Sequence, residues 1–131
     1  MGSFSNYLEN KILDHLFGKA SFTQPTVYVA LSTADPGEDG SGMAEPSGNN
    51  YSRVSASGSS WSSASTGQTS NSQAITFPQA SGSWGTITHF ALFDADSSGN
   101  LLLSGALTTA KDIGAGDTPS FGAGDLVVTL D

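Results

Sequence analysis

Residues 82–107 read GSWGTITHFALFDADSSGNLLLSGAL, and this stretch decides the fold class. Its first arm, Trp84 to Phe93, is rich in Trp, Ile, Thr and Phe, residues that suit a pleated and half-buried surface. Trp84, Thr86, Thr88, Phe90 and Leu92 fall on one side of such a strand. Ile87, Ala91 and Phe93 fall on the other, with Gly85 and His89 between them. Both sides turn apolar towards the end of the arm, as a central strand requires. Residues 94–100, DADSSGN, are dense in residues that reverse a chain. The return arm, Leu101 to Leu107, opens with three consecutive leucines and suits burial on both faces. The stretch predicts a β-hairpin at the centre of the fold, with the rest of the chain packed on it.

Working outward, Thr26 to Ser32 (TVYVALS), Tyr51 to Ala56, Ala74 to Pro78 (AITFP) and Asp125 to Leu130 (DLVVTL) predict further strands. Between them lie two long polar stretches. Residues 33–50 carry Asp35, Glu38, Asp39 and Glu45 among glycines and prolines. Residues 57–73 are almost wholly Ser, Thr, Gly, Asn and Gln around Trp61, and predict irregular edge structure or a long hairpin. Residues 108–120 predict a polar connection. Phe4 to Phe17 predicts the one helix: Asn6 followed by Glu9 resembles a capping box, and Gly18 is a natural stop. Phe4, Leu8, Ile12 and Leu16 repeat at i+4, Leu13 and Phe17 form the next row, and Tyr7 lies on the other flank. The expected architecture is mainly β: a single-domain β-sandwich of about six to seven antiparallel strands over residues 26–131, with an N-terminal helix over 4–18.

The chain has 131 residues, which predicts one domain able to fold without a disulfide, and it has no cysteine. Four basic residues stand against twelve acidic ones, a net charge of −8. That balance argues against a nucleic-acid partner and against an anionic membrane surface. No long apolar run suggests a membrane span, and no leader pattern of basic, then apolar, then small residues is visible.

Candidate chemistry is sparse. Asp94-x-Asp96-x-Ser98-Gly99-x-Leu101 follows a calcium loop for its first eight positions, but position twelve is Gly105 where a bidentate Glu is needed. A hairpin turn explains the same residues. A Gly-rich acidic loop can hold a hard cation through oxygen ligands, but the acidic residues of 33–50 are irregularly spaced and a solvated tip is the favoured reading. His15 and His89 lack partners that would make a zinc site or a catalytic base, and no nucleophile elbow is present. Neither enzyme activity nor a cofactor is therefore expected. Tyr51, Trp61 and Trp84 could form an aromatic platform, although packing is the favoured role for both tryptophans. If the loop end met a ligand, Asp35, Glu38, Asp39 and Trp61 would face it. The helix is apolar over a wider arc than one sheet can cover, which assigns Phe4, Tyr7, Leu8, Ile12, Leu16 and Phe17 to docking or subunit contacts.

Several segments together resemble a family. They are residues 5–18 (SNYLENKILDHLFG), 27–40 (VYVALSTADPGEDG), 51–54 (YSRV), 75–95 (ITFPQASGSWGTITHFALFDA), 99–109 (GNLLLSGALTT) and 122–131 (GAGDLVVTLD). They resemble the small tailed-phage virion proteins commonly labelled tail fibre or tail proteins, over nearly the whole chain. The run from Gly82 to His89 and the closing Gly-Asp-Leu segment are the most specific parts. The resemblance implies a structural virion component with other phage structural proteins as partners; the apolar helix suits assembly in several copies, and assembly in the host cytoplasm would explain the missing leader pattern. Three-fold assembly is the first expectation, by analogy with fibres and spikes. A receptor- or carbohydrate-binding adhesin that attaches to a host surface receptor, and a head-decoration or collar protein, are the alternatives.

Overall fold

A computed structural model describes residues 2–130. These residues form β1 (Gly2–Phe4), α1 (Asn6–Leu16), β2 (Tyr28–Ser32), β3 (Val54–Ser55), β4 (Gln68–Ser70), β5 (Ile75–Thr76), β6 (Gly85–Phe93), β7 (Leu101–Ile113), β8 (Ser120–Phe121) and β9 (Val127–Thr129). The fold is mainly β with one helix, as the strand-and-turn pattern predicts. Seven strands make one sheet in the order β3-β2-β6-β7-β1-β9-β4, and β5 and β8 make a small second ladder. Neighbours in the main sheet are antiparallel except β1 and β9, which run parallel where Gly2 meets Val128.

The central hairpin is β6 and β7. Phe93 stands opposite Leu101 and Phe90 opposite Gly105, and the ladder resumes from Ile87–Lys111 to Gly85–Ile113. Between the two parts, residues 107–110 of β7 face Thr88 alone, a large bulge. The turn is closed by Asp94, whose carboxylate accepts the backbone N–H of Asn100 at 2.7 Å and its side-chain amide at 2.9 Å. Ser98 and Gly99 supply the positive φ values of 53° and 78° that the reversal needs.

Phe90 to Phe93 are all buried, so the sheet centre is covered on both faces. One face carries the main core, including Leu8, Val29, Leu31, Phe77, Trp84, Ile87, Phe90, Leu126 and Val128. The β5–β8 ladder lies on this side: the Phe121 ring is 6.2 Å from Phe77 and 6.3 Å from Phe90, edge to face with both. The opposite face holds Ala30, Ala91, Phe93 and Leu101 under Met43, so the polar 33–50 loop serves as its cover.

Two expected boundaries move. Phe4 belongs to β1 opposite Leu103, not to the helix, and the helix cap is Ser5 rather than Asn6. The expected helix over 4–18 is thereby shortened to 6–16. Three residues are too short a stretch to show a strand period against the helical one that follows. Residues 108–113, expected to be a polar connection, continue β7 through the bulge, where exposure removes any apolar alternation. Residues 57–73 do fold as a hairpin. Trp61 bridges Asn71 and Ser65 bridges Gln68 around Thr66 and Gly67, whose φ values of 53° and 74° suit a two-residue turn.

Candidate assembly surface

The helix is rooted in the sheet. Ser5 is buried, its N–H donates to the Leu102 carbonyl at 2.9 Å, and its hydroxyl donates to the Leu101 carbonyl. The same oxygen accepts the Leu8 N–H at 3.2 Å, which caps the first turn. The Asn6 N–H donates to the Glu38 carbonyl at 2.9 Å, tying the root to the acidic loop as well. Leu8 is 8% exposed and belongs to the protein's own core; Phe4, Tyr7 and Ile12 are half-buried against it.

Past Ile12 the apolar residues lose their cover. Leu13 is 53% exposed, Leu16 70% and Phe17 69%. The helix ends in a Schellman closure in which the Gly18 N–H donates to the His15 carbonyl and the Lys19 N–H to the Asp14 carbonyl. Gly18 has φ 73° with open space around it, a conformation that favours glycine. The chain then doubles back, and the Phe22 N–H donates to His15 Nδ1 at 3.1 Å. His15 thus pins the return segment in place. Ile12, His15, Leu16, Phe22, Gln24 and Pro25 line a concavity of about 500 Å³ beside the exposed residues. Of the six residues expected to make subunit contacts, Leu16 and Phe17 are the most available. Leu13, which sequence periodicity put on the row of Phe17, joins them.

The loop residues are engaged differently. One Asp35 carboxylate oxygen accepts the Gly37 N–H at 2.9 Å, and the other lies 4.0 Å from His89 Nε2. Asp39 accepts the Ser41 N–H at 2.9 Å. That contact and the Ser41 hydroxyl hold its carboxyl below the usual range. Glu38 is exposed on the same loop, and Asp35, Gly37 and Glu38 border a recess of about 220 Å³ with Ser3, Phe4 and Ser104. Trp61 is half-buried, with its indole N–H donated to the Ala56 carbonyl at 2.7 Å. Trp84 is buried, donates to the Asn49 carbonyl at 2.9 Å and meets Tyr51 edge to face at 5.1 Å. Both tryptophans therefore have packing roles. Among the described residues, no three His, Asp or Glu side chains converge as metal ligands.

Two polar anchors escaped sequence reasoning. Arg53 donates to both Glu45 carboxylate oxygens through Nε and Nη2, at 2.8 and 2.9 Å, and through Nη1 to the Ala95 and Ser98 carbonyls at 2.8 and 2.9 Å. Asn71 is 1% exposed and joins residues 122–126 to the serine-rich hairpin. Arg53 was visible as one of only four basic residues; Asn71 had no signal within its polar surroundings.

A search of curated proteins finds no match. A family model described as podophage GP4 fiber I protein gp80 matches residues 3–129, from within β1 to the end of β9. With the match running from the sheet's first strand to its last, the chain belongs to the podophage GP4 fiber I protein gp80 family and is a fibre-type phage structural protein.

Proposed function

We propose that this chain is a multi-copy structural subunit of a podophage tail or tail fibre, held to its neighbours through the outer half of α1. The observation that carries this is the uncovered apolar group Leu13, Leu16 and Phe17 on a helix whose root is fixed in the sheet. Contiguous apolar surface at one place on a small protein marks an interface. Family membership supports a partner among phage structural proteins. A second copy of the chain is the proposed neighbour, in a three-fold arrangement by analogy with fibres and spikes. The loops at 33–50 and 57–73 turn several of their polar and aromatic groups to the protein's own contacts, so assembly rather than host attachment is carried forward.

The test is substitution, not removal of residues 1–18, because that deletion would also take out β1 and leave the facing edges of β7 and β9 without a partner. Leu16→Asp and Phe17→Asp together should turn an oligomer into a monomer by light scattering, with far-UV circular dichroism unchanged. An oligomer of undiminished mass in the double variant would refute the role given to the helix.

A further inference from the structure

We propose that β1 is exchanged between copies: the Gly2–Phe4 strand of one chain fills the slot between β7 and β9 of a second copy, and α1 follows it. The proposal rests on the multi-copy assembly above and states how the copies are joined.

The slot comes first. β1 pairs with residues 103–105 of β7 on one side and meets Val128 of β9 on the other. Without it, two strands in the interior of the sheet would present unpaired N–H and C=O groups. Any copy of β1 satisfies them equally well. The root of the helix travels with the strand, so the Ser5 bonds to Leu101 and Leu102 and the Asn6 bond to Glu38 are remade in the acceptor. Exchange of an identical element keeps these intrachain contacts and substitutes a neighbour's residues for the chain's own.

The hinge comes second. Residues 17–27 contain neither helix nor strand. Their early hydrogen bonds run back into the arm, from Lys19 to Asp14 and from Phe22 to His15. Among the described residues, the first hydrogen bond from this stretch to the body is at Val27, whose N–H donates to the Ser57 hydroxyl at 2.8 Å. At roughly 3.3 Å per residue the span from Phe22 to Val27 reaches about 17 Å, and release of the Lys19 and Phe22 bonds to the arm lengthens it to on the order of 35 Å.

The third observation explains the apolar group itself. Exchange leaves existing interfaces as they were and creates one new contact, where the hinges of neighbouring copies pass each other. Leu13, Leu16 and Phe17 sit at the hinge and are uncovered in the single chain. Two reciprocal donors give a closed pair; donation to the next copy around a ring gives a trimer by the same contacts.

The register supplies a direct test. Ser3 stands opposite Ser104, Ser3 is exposed and Ser104 half-buried, and the chain has no cysteine of its own. Opposed residues in an antiparallel pair have Cα atoms about 4.5–5.5 Å apart, within the range a disulfide spans. Ser3→Cys and Ser104→Cys chains, unfolded, mixed, refolded together and oxidised, should form a disulfide-linked dimer on a non-reducing gel. The full chain carrying both substitutions should become a covalent oligomer. A double variant that closes only on itself and runs at monomer mass would overturn the exchange. Light scattering then separates the two claims: a non-covalent oligomer leaves the assembly role standing, whereas a monomer removes both. Failure of any disulfide to form would also overturn the proposal, since β1 would not then lie against β7.

Discussion

Replacing Arg53 with Met keeps an unbranched stem and deletes the guanidinium. Four hydrogen bonds go with it: two to Glu45 and one each to the Ala95 and Ser98 carbonyls. The cation that sits 4.0 Å from the Phe93 ring centroid goes as well. The Arg53 side chain is only 5% exposed and that of Glu45 23%, so this pair is buried rather than superficial. Removing one partner of a buried pair costs about 3–5 kcal/mol. Glu45 is partly solvated and keeps the Tyr51 hydroxyl at 2.6 Å, which places the expected loss near the lower end, about 3 kcal/mol. For a chain of this size that loss lowers Tm by roughly 10 °C. Urea unfolding followed by the fluorescence of Trp61 and Trp84 measures it, with circular dichroism as the second probe. Glu45→Gln should cost a similar amount, and the double variant less than the sum of the two by at least about 1.5 kcal/mol. An Arg53→Met loss below about 1 kcal/mol, within the range of exposed pairs, would refute the assignment of this pair as an anchor. Strict additivity in the double variant would refute the coupling.

Tyr51 and Asn71 give two further expectations. Burial, and then the hydrogen bond to Glu45, push the Tyr51 hydroxyl well above its ordinary range. An acid whose folded value is raised contributes stability that is present below its unfolded pKa, about 10, and is lost as pH rises above that point. Melting temperatures should therefore fall steeply above about pH 10, and Tyr51→Phe should flatten the decline; equal alkali sensitivity in both proteins would exclude Tyr51 as the cause. Asn71→Leu removes one acceptor for the Leu126 N–H at 2.9 Å and two donors to the Gln73 and Gly122 carbonyls, each at 2.9 Å. Leu126 is buried and its orphaned N–H costs about 1–3 kcal/mol, so a loss in that range is expected. Faster hydrogen exchange at the Leu126 amide would show it, and unchanged protection there would contradict it.

What the sequence shows depends on how far each feature reaches along the chain. The β6–β7 hairpin was legible because alternation, turn residues and a leucine run lie side by side in one stretch. Residue type favoured packing for Trp84 and Trp61 while leaving Trp61 as a ligand-facing candidate, and both indoles donate to backbone carbonyls. β1 was hidden because its partners are residues 103–105 and Val128 and its own residues carry no period. The bulge in β7 was hidden for a related reason: exposed Thr108 to Asp112 look the same in a loop and in an open strand. The broad apolar arc of the helix was legible, but its division was not. Leu8 turns inward and Leu16 outward because the sheet supports the first half of the helix only, and periodicity does not measure where that support ends. Arg53 and Glu45, and Asn71 with Leu126, meet through tertiary structure and leave no local trace.

The place of β1 between β7 and β9 also governs timing. Synthesis at about 5–20 residues per second separates β1 from residues 103–105 by roughly 5–20 s. α1, at 11 residues, has only local hydrogen bonds during that interval and is marginal until the sheet supports it. The strand before it cannot dock, since neither wall of its slot exists until the second half of the chain has emerged. Contacts this distant in sequence are also the slow ones to form. Each nascent copy thus carries an undocked arm and an idle strand for much of its synthesis. Where many copies are made close together, a chain's own slot and a neighbour's open to that strand over the same seconds.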